Sequence, residues 1–477
     1  MRSLKGTASA VRGGGLTRAE QPIIRAGSIL RGTARGGAAP AWRAPAWVAL
    51  HLLLGVALRA SPAAALAHGV IVTGAAVVAG AAGRMQSVLG VIVYAAASQV
   101  LWRMSGAPLP HMLGMYVVIA AAGVAALRMR RRPPLEAFAF FLPLLPSCAL
   151  TVLALGDWKG ARQLLAFNLA GPAALFAVLW LLRGRDARLD IWKLVGIGLG
   201  PLAGIATAAL WYMRGLGGVE FGTQSNFAAS GGFGPNQVAS ALSLGIVLLV
   251  AVLWLRGGMG RTLWVWGLLA FLTVQALLTF SRSGIAMALG AAAAMGLILL
   301  RAPGARAAVA LFALLAWVAA DRVLVPWLNR YTGGAFVERY TDPRLSNRDV
   351  IAKSDLEMFL DHPVLGVGPG MGTELRESLL GQRVAAHTEF TRMLGEHGLG
   401  GVLALVALAL VSVRAVRGAP PGRPRALPFG LVAWMWLYFA VNAFRTVLPV
   451  AALALALASS STRSVCAAPA GQGKGAG

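Results

Sequence analysis

The sequence predicts an all-α polytopic integral membrane protein with about 12–14 transmembrane helices and one large outer loop that contains short helices. Of its 477 residues, 57% are hydrophobic, and the mean hydropathy is +0.70. Only 13% are charged, against about 25% in an average soluble protein. Apolar runs of about 20 residues recur along the chain, and helices of that length cross a bilayer with their backbone groups paired internally.

The apolar runs define the order of the predicted elements. Fourteen spans is the favoured count, and twelve is the alternative because some runs are short for a bilayer. The predicted spans are residues 45–60, 62–82, 86–102, 111–127, 135–154, 163–182, 191–213, 236–255, 262–280, 284–300, 307–327, 388–413, 428–444 and 446–460. The chain thus divides into a first transmembrane bundle (45–327), a large periplasmic loop (328–387) and C-terminal transmembrane helices (388–461).

Both termini are predicted to be disordered and cytoplasmic. Residues 1–44 are rich in Arg, Gly, Ala and Thr and contain a single acid, Glu20. This composition is typical of a basic extension held near anionic lipid. Residues 462–477 form a similar predicted tail.

The excess of basic residues is explained by contact with membrane lipids rather than by nucleic-acid binding. The chain carries 43 basic and 17 acidic residues, for a net charge of +26. A strongly basic chain suggests nucleic-acid binding, but no recognition module is present. The basic residues instead cluster in short loops between spans, as at Arg128–Arg132 and Arg183–Arg188. This pattern indicates cytoplasmic loops beside membrane lipids.

The same rule predicts which segments face the periplasm. With the basic N-terminus inside, every strongly basic short loop falls on the cytoplasmic side. The loop 214–235, the sequence TFSRSG (279–284) and the loop 328–387 then converge on the outer face. Because no energy currency is dissolved there, chemistry at that face requires a substrate that arrives already activated.

The polar block near the C-terminal end is the predicted centre of that chemistry. Residues 345–372 and 385–401 bring His, Arg, Asp, Glu and clustered Gly together between apolar spans. His387 lies where the chain re-enters the bilayer; a lone His is often structural, but a neutral imidazole is also the natural general base for a hydroxyl nucleophile. Arg392 and Glu396 follow on the same predicted helix and are candidates to orient His387 or to bind substrate.

Two features flank the helix that begins near His387. His397 precedes Gly398 and is expected to cap a kink. GVGPGMG (366–372) resembles a glycine-rich phosphate loop superficially, but it lacks the strand and helix context of such loops. A tight turn is the prediction there.

Arg282 has two interpretations. It is a snorkelling arginine that fixes the depth of a helix end, or it is an anion clamp, because a guanidinium offers planar bidentate donors to phosphate oxygens. The small residues Ser281, Ser283 and Gly284 would let a headgroup approach closely.

Arg348 and Asn236 are the other candidates. Arg348 precedes residues 350–360, where Ile351, Leu356, Phe359 and Leu360 suggest an amphipathic helix on the membrane. In GGFGPNQVAS (231–240), either Asn236 is the N-cap of the next span or Pro235 starts it, and Asn236 and Gln237 are candidates to bind sugar hydroxyls.

Metal and cofactor chemistry find little support in the sequence. No Cys/His pair has ligand spacing, and no Asp-x-Asp occurs. No Ser-x-x-Lys or Gly-x-Ser-x-Gly nucleophile motif is present either.

With these residues in view, the chain resembles the O-antigen ligase and polymerase superfamily of bacterial membrane glycosyltransferases. Three stretches carry the resemblance: GGFGPNQVASALSLG (231–245), LTFSRSGIAMALG (278–290), and the polar block 346–372 with 385–401. Family members commonly have His-Asn where this chain has His387 and Thr388, a difference that concerns the acceptor side.

The resemblance implies transfer of a glycan from undecaprenyl diphosphate in the outer leaflet of the bacterial inner membrane. Carried over by position, Arg282 and Arg348 are expected to hold the donor diphosphate. His387 is expected to activate the acceptor hydroxyl for attack at the anomeric carbon with inversion, without a metal or cofactor. In the ligases the acceptor is a sugar of the lipid A core of lipopolysaccharide.

Three alternatives remain open. A repeat-unit polymerase for O-antigen or exopolysaccharide is the second interpretation, and a protein O-oligosaccharyltransferase is the third. A multipass transporter or flippase would place charged residues at mid-bilayer depth and would consist of two related halves. The polar residues instead gather at one face and no convincing repeat is visible, which favours an enzyme.

Overall fold

The computed structural model of the chain describes residues 43–184, 189–256, 263–301, 303–342, 348–381 and 384–461. Within these ranges the fold is helical and contains no β-strand, which confirms the predicted all-α class. The termini predicted to be disordered lie outside these ranges, apart from residues 43 and 44, which begin the first helix.

Seven helices make up the N-terminal part of the bundle. They are α1 (Arg43–Ala60), α2 (Pro62–Ala82), α3 (Met85–Met104), α4 (Leu113–Arg128), α5 (Leu135–Phe141), α6 (Cys148–Leu155) and α7 (Trp158–Leu181). A 3-10 turn over Leu142–Leu144 follows α5, so α5 and α6 together form the single span predicted for 135–154.

Five further helices precede the large polar loop. They are α8 (Ile191–Gly215), α9 (Pro235–Ala251), α10 (Leu263–Leu278), α11 (Arg282–Leu299) and α12 (Pro303–Ala319). A π-helical turn extends α9 through Val252–Arg256, and another over Ala320–Leu324 continues α12 into the next helix. A short 3-10 turn, Ala228–Ser230, lies in the loop between α8 and α9.

The polar loop is itself helical, as predicted. α13 (Val325–Tyr331) leads into it, α14 (Ala335–Thr341), α15 (Arg348–Asp361) and α16 (Met371–Leu380) lie within it, and α17 (Glu389–His397) follows it. The chain ends with α18 (Leu399–Gly418), α19 (Ala426–Val441), which follows a 3-10 turn over Arg423–Arg425, and α20 (Leu448–Ser461).

The helices have the length and composition of a polytopic membrane protein. Among the described residues, nine helical segments are long and apolar enough to cross a bilayer, and four shorter apolar helices accompany them. Each of the fourteen predicted spans coincides with an apolar helix or, at 135–154, with a pair of helices. One predicted span differs in detail, because 388–413 is divided at Gly398 into the polar helix α17 and the apolar helix α18.

Small residues let the helices approach closely. Where α1 crosses α8, a Cβ at Gly55 would lie 2.2 Å from the carbonyl oxygen of Gly204. The hydroxyl of Thr207 donates to the carbonyl of Leu52 at 2.8 Å at the same crossing. Such contacts are the usual basis of helix association in membranes, where lipid supplies no hydrophobic driving force.

A chain of hydrogen bonds satisfies the polar groups between α1, α2 and α3. Trp102 Nε1 donates to His68 Nδ1 at 2.8 Å, so the proton of this imidazole lies on Nε2, which donates to Tyr94 Oη at 2.8 Å. The Tyr94 hydroxyl then donates to His51 Nε2 at 3.1 Å, and His51 Nδ1 donates to the Trp47 carbonyl at 2.8 Å. Both imidazoles are therefore neutral and fully bonded, which is how polar residues are tolerated among apolar helices.

Candidate active site

Three segments that are far apart in sequence meet at one end of the bundle, as the predicted topology requires. In the turn between α10 and α11, the Thr279 carbonyl accepts from the Asn226 backbone N–H at 2.8 Å. Arg339 of α14 donates to the carbonyls of Phe280 at 3.1 Å and of Thr223 at 2.9 Å. Arg339 thus ties the large loop to both other segments.

The start of α11 is held by a small polar cluster. The Ser281 hydroxyl donates to Asn236 Oδ1 at 2.7 Å and lies 2.9 Å from the hydroxyl of Ser283. Gly284 permits the approach of α9, because a Cβ there would lie 2.6 Å from the Cβ of Ala239. These contacts fix the position from which Arg282, the first residue of α11, extends.

Of the two predicted starts of α9, Pro235 as its first residue is confirmed, and the N-cap at Asn236 is wrong. The helix begins at Pro235, whose fixed φ suits a first helical position and which needs no backbone donor there, and Gly234 is the cap. Asn236 lies inside the first turn, and its side chain accepts the tertiary hydrogen bond from Ser281 instead of capping the helix.

Arg282 and Arg348 are brought together, and Arg339 joins them. Arg282 donates to the carbonyl of Asp342 directly after α14. Burial lowers the pKa of the Arg348 guanidinium, and the positive charges of Arg282 and Arg339 lower it further. Burial and Arg282 also lower the pKa of Arg339. The positive charges of three guanidinium groups therefore act on one another, and Asp342 acts on Arg339 among them, an arrangement suited to a multiply charged anion.

Arg339 is a site residue that the sequence analysis missed. Its side chain is 5% exposed, and its N–H groups donate to backbone carbonyls. The same guanidinium contributes a positive charge to the arginine cluster. Its sequence context, FVERYTDPR, is a charged loop in which one arginine does not stand out from its neighbours.

His387 lies between this arginine cluster and a second group of charges. Burial lowers the pKa of the imidazole to about 4, and the charges of Arg348, Arg445 and Arg376 contribute to the shift. No hydrogen bond is made by the His387 side chain within the described part of the chain. The ring is consequently neutral near pH 7 and available to accept a proton.

Arg392 and Glu396 belong to a buried ionic network on α17. Arg392 donates to Glu389 at 2.5 and 2.8 Å and to Glu396 at 2.7 Å. Burial acts to lower the pKa of Arg392, but the two carboxylates together raise it. Glu389 also accepts from the backbone N–H of Phe444 at 2.8 Å. Three of the five N–H donors of Arg392 thus hold α17 in place.

A second buried pair connects α15 to α16, and a hydrogen bond joins the same carboxylate to α17. Asp355 pairs with Arg376 and accepts from the Thr391 hydroxyl at 2.7 Å. Burial raises the pKa of Asp355 to about 6, an effect opposed by Arg376. The predicted helix after Arg348 is confirmed as α15, with Ile351 buried.

The apolar residues predicted for one membrane-facing surface of α15 lie on two sides of the helix. Ile351 is buried and Phe359 is half-buried, whereas Leu356 and Leu360 are exposed. The buried side packs against α17, so a tertiary contact accounts for part of the apolar pattern.

The glycine-rich segment forms the predicted tight turn. Gly366, Gly368 and Gly370 have φ values of 67°, 99° and 84°, in the region that favours glycine. The backbone N–H groups of Val367 and Gly368 donate to carbonyls at the end of α17, at 2.9 and 3.0 Å. The segment holds α17 through backbone contacts rather than forming a phosphate loop.

His397 has the structural role that was expected. It is the last residue of α17, and Gly398 follows with a φ of 56°. Its Nδ1 lies 2.7 Å from the Ser147 hydroxyl and 3.2 Å from the Leu144 carbonyl. His397 therefore links the kink to the turn between α5 and α6.

Arg103 and Arg445 were also missed. Arg103 at the end of α3 donates to Gln237 Oε1 at 2.7 Å and to the Arg445 carbonyl at 2.9 Å. Arg445 donates to the Ala386 carbonyl at 3.4 Å, directly beside His387, and burial lowers its pKa. A single arginine at a helix end is typical of a membrane anchor, so neither residue stood out. Arg445 could still have been found, because it occupies a one-residue gap between two predicted spans.

Comparison with known proteins agrees with this description. The fold and site define a polytopic, all-helical membrane protein with a cationic site in its large polar loop. Residues 267–406, less than a third of the chain, match the family model described as O-antigen ligase, which confirms the resemblance for the stretch 278–290 and the polar block, whereas 231–245 lies outside the match. The match includes Arg282, Arg348 and His387, whereas Arg445 lies outside it. No curated protein matches the chain.

Proposed function

We propose that the protein is an O-antigen ligase-type glycosyltransferase of the bacterial inner membrane. It moves a glycan from undecaprenyl diphosphate to an acceptor hydroxyl, on the lipid A core or a similar glycolipid, at the periplasmic face. The observation that carries the proposal is the position of Arg348, which acts electrostatically on both Arg282 and His387. An anion site and a neutral base thus adjoin each other.

The arginine cluster suits the leaving group. As the bond between the anomeric carbon and the diphosphate oxygen breaks, negative charge develops on the diphosphate. Guanidinium groups already in position stabilise that charge more in the transition state than in the ground state. Loss of one such donor typically costs about 2.7–4 kcal/mol of barrier. Arg282 and Arg348 are the proposed donors, with Arg339 in support.

His387 suits the role of general base. Its neutral imidazole takes the proton of the acceptor hydroxyl while the oxygen attacks the anomeric carbon from the side opposite the diphosphate, so the configuration inverts. Every group in this step is an organic side chain, and the proposal includes neither a metal nor a cofactor. Removal of a general base typically costs about 100- to 10,000-fold in rate.

Two further roles complete the proposal. Ser281, Ser283 and Asn236 support Arg282 through their hydrogen bonds at the start of α11. The positive-inside pattern of the loops supports cytoplasmic termini and a periplasmic site.

The alternatives share the same site and differ in the acceptor. A repeat-unit polymerase would use a second lipid-linked glycan, and a protein O-oligosaccharyltransferase would use a protein hydroxyl. A transporter or flippase would use the arginine cluster to bind the diphosphate without breaking a bond.

Transfer assays with purified protein in lipid vesicles test the proposal. The donor is a glycan on undecaprenyl diphosphate, and the acceptor is a lipid A core glycolipid. We expect His387→Ala to lower kcat at least about 100-fold and Arg282→Ala to lower kcat/KM for the donor at least about 100-fold.

Matched controls lie in the same loop. His362 and Arg330 are exposed residues outside the site, so His362→Ala and Arg330→Ala should retain wild-type rates. Near-normal transfer by correctly inserted His387→Ala and Arg282→Ala proteins would rule the proposal out. Transbilayer movement of the donor without any transfer product would favour the transporter.

A further inference from the structure

A cavity of about 220 Å³ lies beside His387, and Arg282, Arg339 and Arg348 are not among its lining residues. Its walls come from α7, the start of α16, α17 and the segment between α19 and α20, and include Phe167, Asn168 and Thr373. Ala386, the residue before His387, also lines it. The mechanism described so far does not use this cavity.

Several polar atoms in the cavity walls have unused hydrogen-bonding capacity. Asn168 Nδ2 donates to the Leu164 carbonyl at 2.9 Å, and Glu396 Oε2 accepts from Arg392 at 2.7 Å. Within the described residues, no hydrogen bond is made by Asn168 Oδ1, Glu396 Oε1 or the hydroxyl of Thr373. Glu396 is only 3% exposed, so its free oxygen belongs to a built site and not to an open surface.

The charges around the cavity are mixed. Arg392 is balanced by Glu389 and Glu396, and the same carboxylates act on Arg445. The arginine cluster, in contrast, combines the positive charges of Arg282, Arg339 and Arg348, and Asp342 acts on Arg339 among them. A phosphorylated ligand therefore belongs in the arginine cluster, and a neutral ligand rich in hydroxyl groups suits the cavity.

The shape of the cavity agrees with a sugar ring. Ligand pockets for drug-sized molecules have volumes of about 300–1,000 Å³, so 220 Å³ suits a single ring rather than an oligosaccharide. Phe167 and Phe444 supply aromatic walls, against which the C–H face of a pyranose packs while its hydroxyls reach the polar atoms.

We propose that this cavity binds the terminal sugar of the acceptor, a neutral pyranose, with its nucleophilic hydroxyl directed at His387. The inference rests on the proposed function. In an inverting transfer the acceptor oxygen must approach the anomeric carbon opposite the leaving diphosphate. With the diphosphate at Arg282 and Arg348, which do not line the cavity, the cavity beside His387 is left for the acceptor.

The step balances without any further reactant. The acceptor oxygen forms a bond to the anomeric carbon of the donor, and the bond from that carbon to the diphosphate oxygen breaks. The electron pair of the broken bond stays with the diphosphate, and the acceptor proton passes to an unprotonated ring nitrogen of His387.

Steady-state kinetics with separate donor and acceptor titrations test this proposal. Thr373→Val and Asn168→Leu each remove hydrogen-bonding groups from the cavity while keeping a similar volume. We expect the acceptor KM to rise about 3- to 10-fold in each variant, with the donor KM and kcat within about 2-fold of wild type. Thr273→Val, which removes a hydroxyl bonded within α10, is the control and should leave both KM values unchanged.

The chemical class of the acceptor is tested with synthetic lipid-linked acceptors that differ only in the terminal ring. We expect a neutral hexose or N-acetylhexosamine to be used at least about 10-fold better, in kcat/KM, than a hexuronic acid or a hexose phosphate. A preference for the charged rings would overturn the inference.

The outcomes also separate the inference from the proposed function. Transfer with unchanged acceptor KM in both cavity variants would overturn the inference alone. A rise in donor KM only would assign the cavity to the donor sugar and overturn it as well. Absence of transfer in the wild-type protein with every acceptor would remove the proposed function and the inference together.

Discussion

The pH dependence of transfer reports directly on the environment of His387. The pKa of this imidazole is lowered from 6.5 to about 4, first by burial and then by Arg348, Arg445 and Arg376. At pH 5 a group with a pKa of 4 is about 90% neutral, whereas one with a pKa of 6.5 is about 3% neutral. The free enzyme should therefore keep most of its base form at pH 5 and lose it only as the pH falls through about 4.

Binding of the donor should change this value. The diphosphate brings negative charge next to Arg348, which offsets the field that this arginine exerts on His387, so the pKa of the imidazole rises. Because kcat/KM reports the free enzyme and kcat reports the donor complex, the acid limb of kcat/KM should lie near pH 4 and that of kcat at a higher pH.

The perturbation that tests the reasoning is Arg348→Gln. Removal of one positive charge raises the pKa of His387, so the acid limb of kcat/KM should move to higher pH, while staying below 6.5 because burial is the largest cause of the shift. The assay is the transfer rate measured from pH 4 to 8, with Arg330→Gln as the control. An acid limb near 6.5 in the wild-type protein, or a shift to lower pH in Arg348→Gln, would refute the account.

Three other predictions concern residues around the site. Arg339→Gln should raise the donor KM about 10-fold or more, because it removes charge from the arginine cluster and two hydrogen bonds to carbonyls; an unchanged donor KM would remove Arg339 from the site. Gly366→Ala should lower the unfolding temperature, because φ is 67° and the added Cβ would lie 2.4 Å from the backbone of α17. Gly218→Ala, where the added Cβ meets no atom within 4 Å, is the control for Gly366→Ala. Equal unfolding temperatures of the two variants would contradict the close contact at Gly366. Glu389→Gln should destabilise the fold by about 3–5 kcal/mol, since it breaks the buried pair with Arg392; thermal unfolding in detergent measures this, and a stable variant would show that the network is dispensable.

Much of the fold was predictable because the bilayer restricts the choices. Apolar runs of sufficient length predict helices directly, and all fourteen predicted spans coincide with helical segments. A kink at His397 and Gly398 was expected, but the polar residues of α17 were included in the predicted span 388–413 because the apolar run of α18 adjoins them directly.

The candidate site was predictable where polar residues interrupt apolar sequence. Arg282, Arg348 and His387 stood out for that reason, and the structure brings them within electrostatic range of one another. Arg103 and Arg445 were missed because a lone arginine at a helix end has the same sequence signature as a membrane anchor. Their roles depend on hydrogen bonds between residues hundreds of positions apart.

Local rules failed where a tertiary partner decides the outcome. Asn236 has the side chain of an N-cap, but Pro235 takes the first helical position and Ser281 supplies a bonding partner from another helix. Asp355 lies on the buried side of α15 because Arg376 and Thr391 face it there. None of the partners Ser281, Arg376 and Thr391 can be assigned from sequence spacing.

The most direct test compares cells that carry wild-type, His387→Ala or His362→Ala protein. Free lipid-linked glycans and finished surface polysaccharide are separated by size in each strain. The account predicts long polymer accumulating on undecaprenyl diphosphate, with bare acceptor at the surface, only in His387→Ala cells. Accumulation of single repeat units would identify a polymerase instead, and an unchanged profile would contradict the role of His387 and favour a transporter.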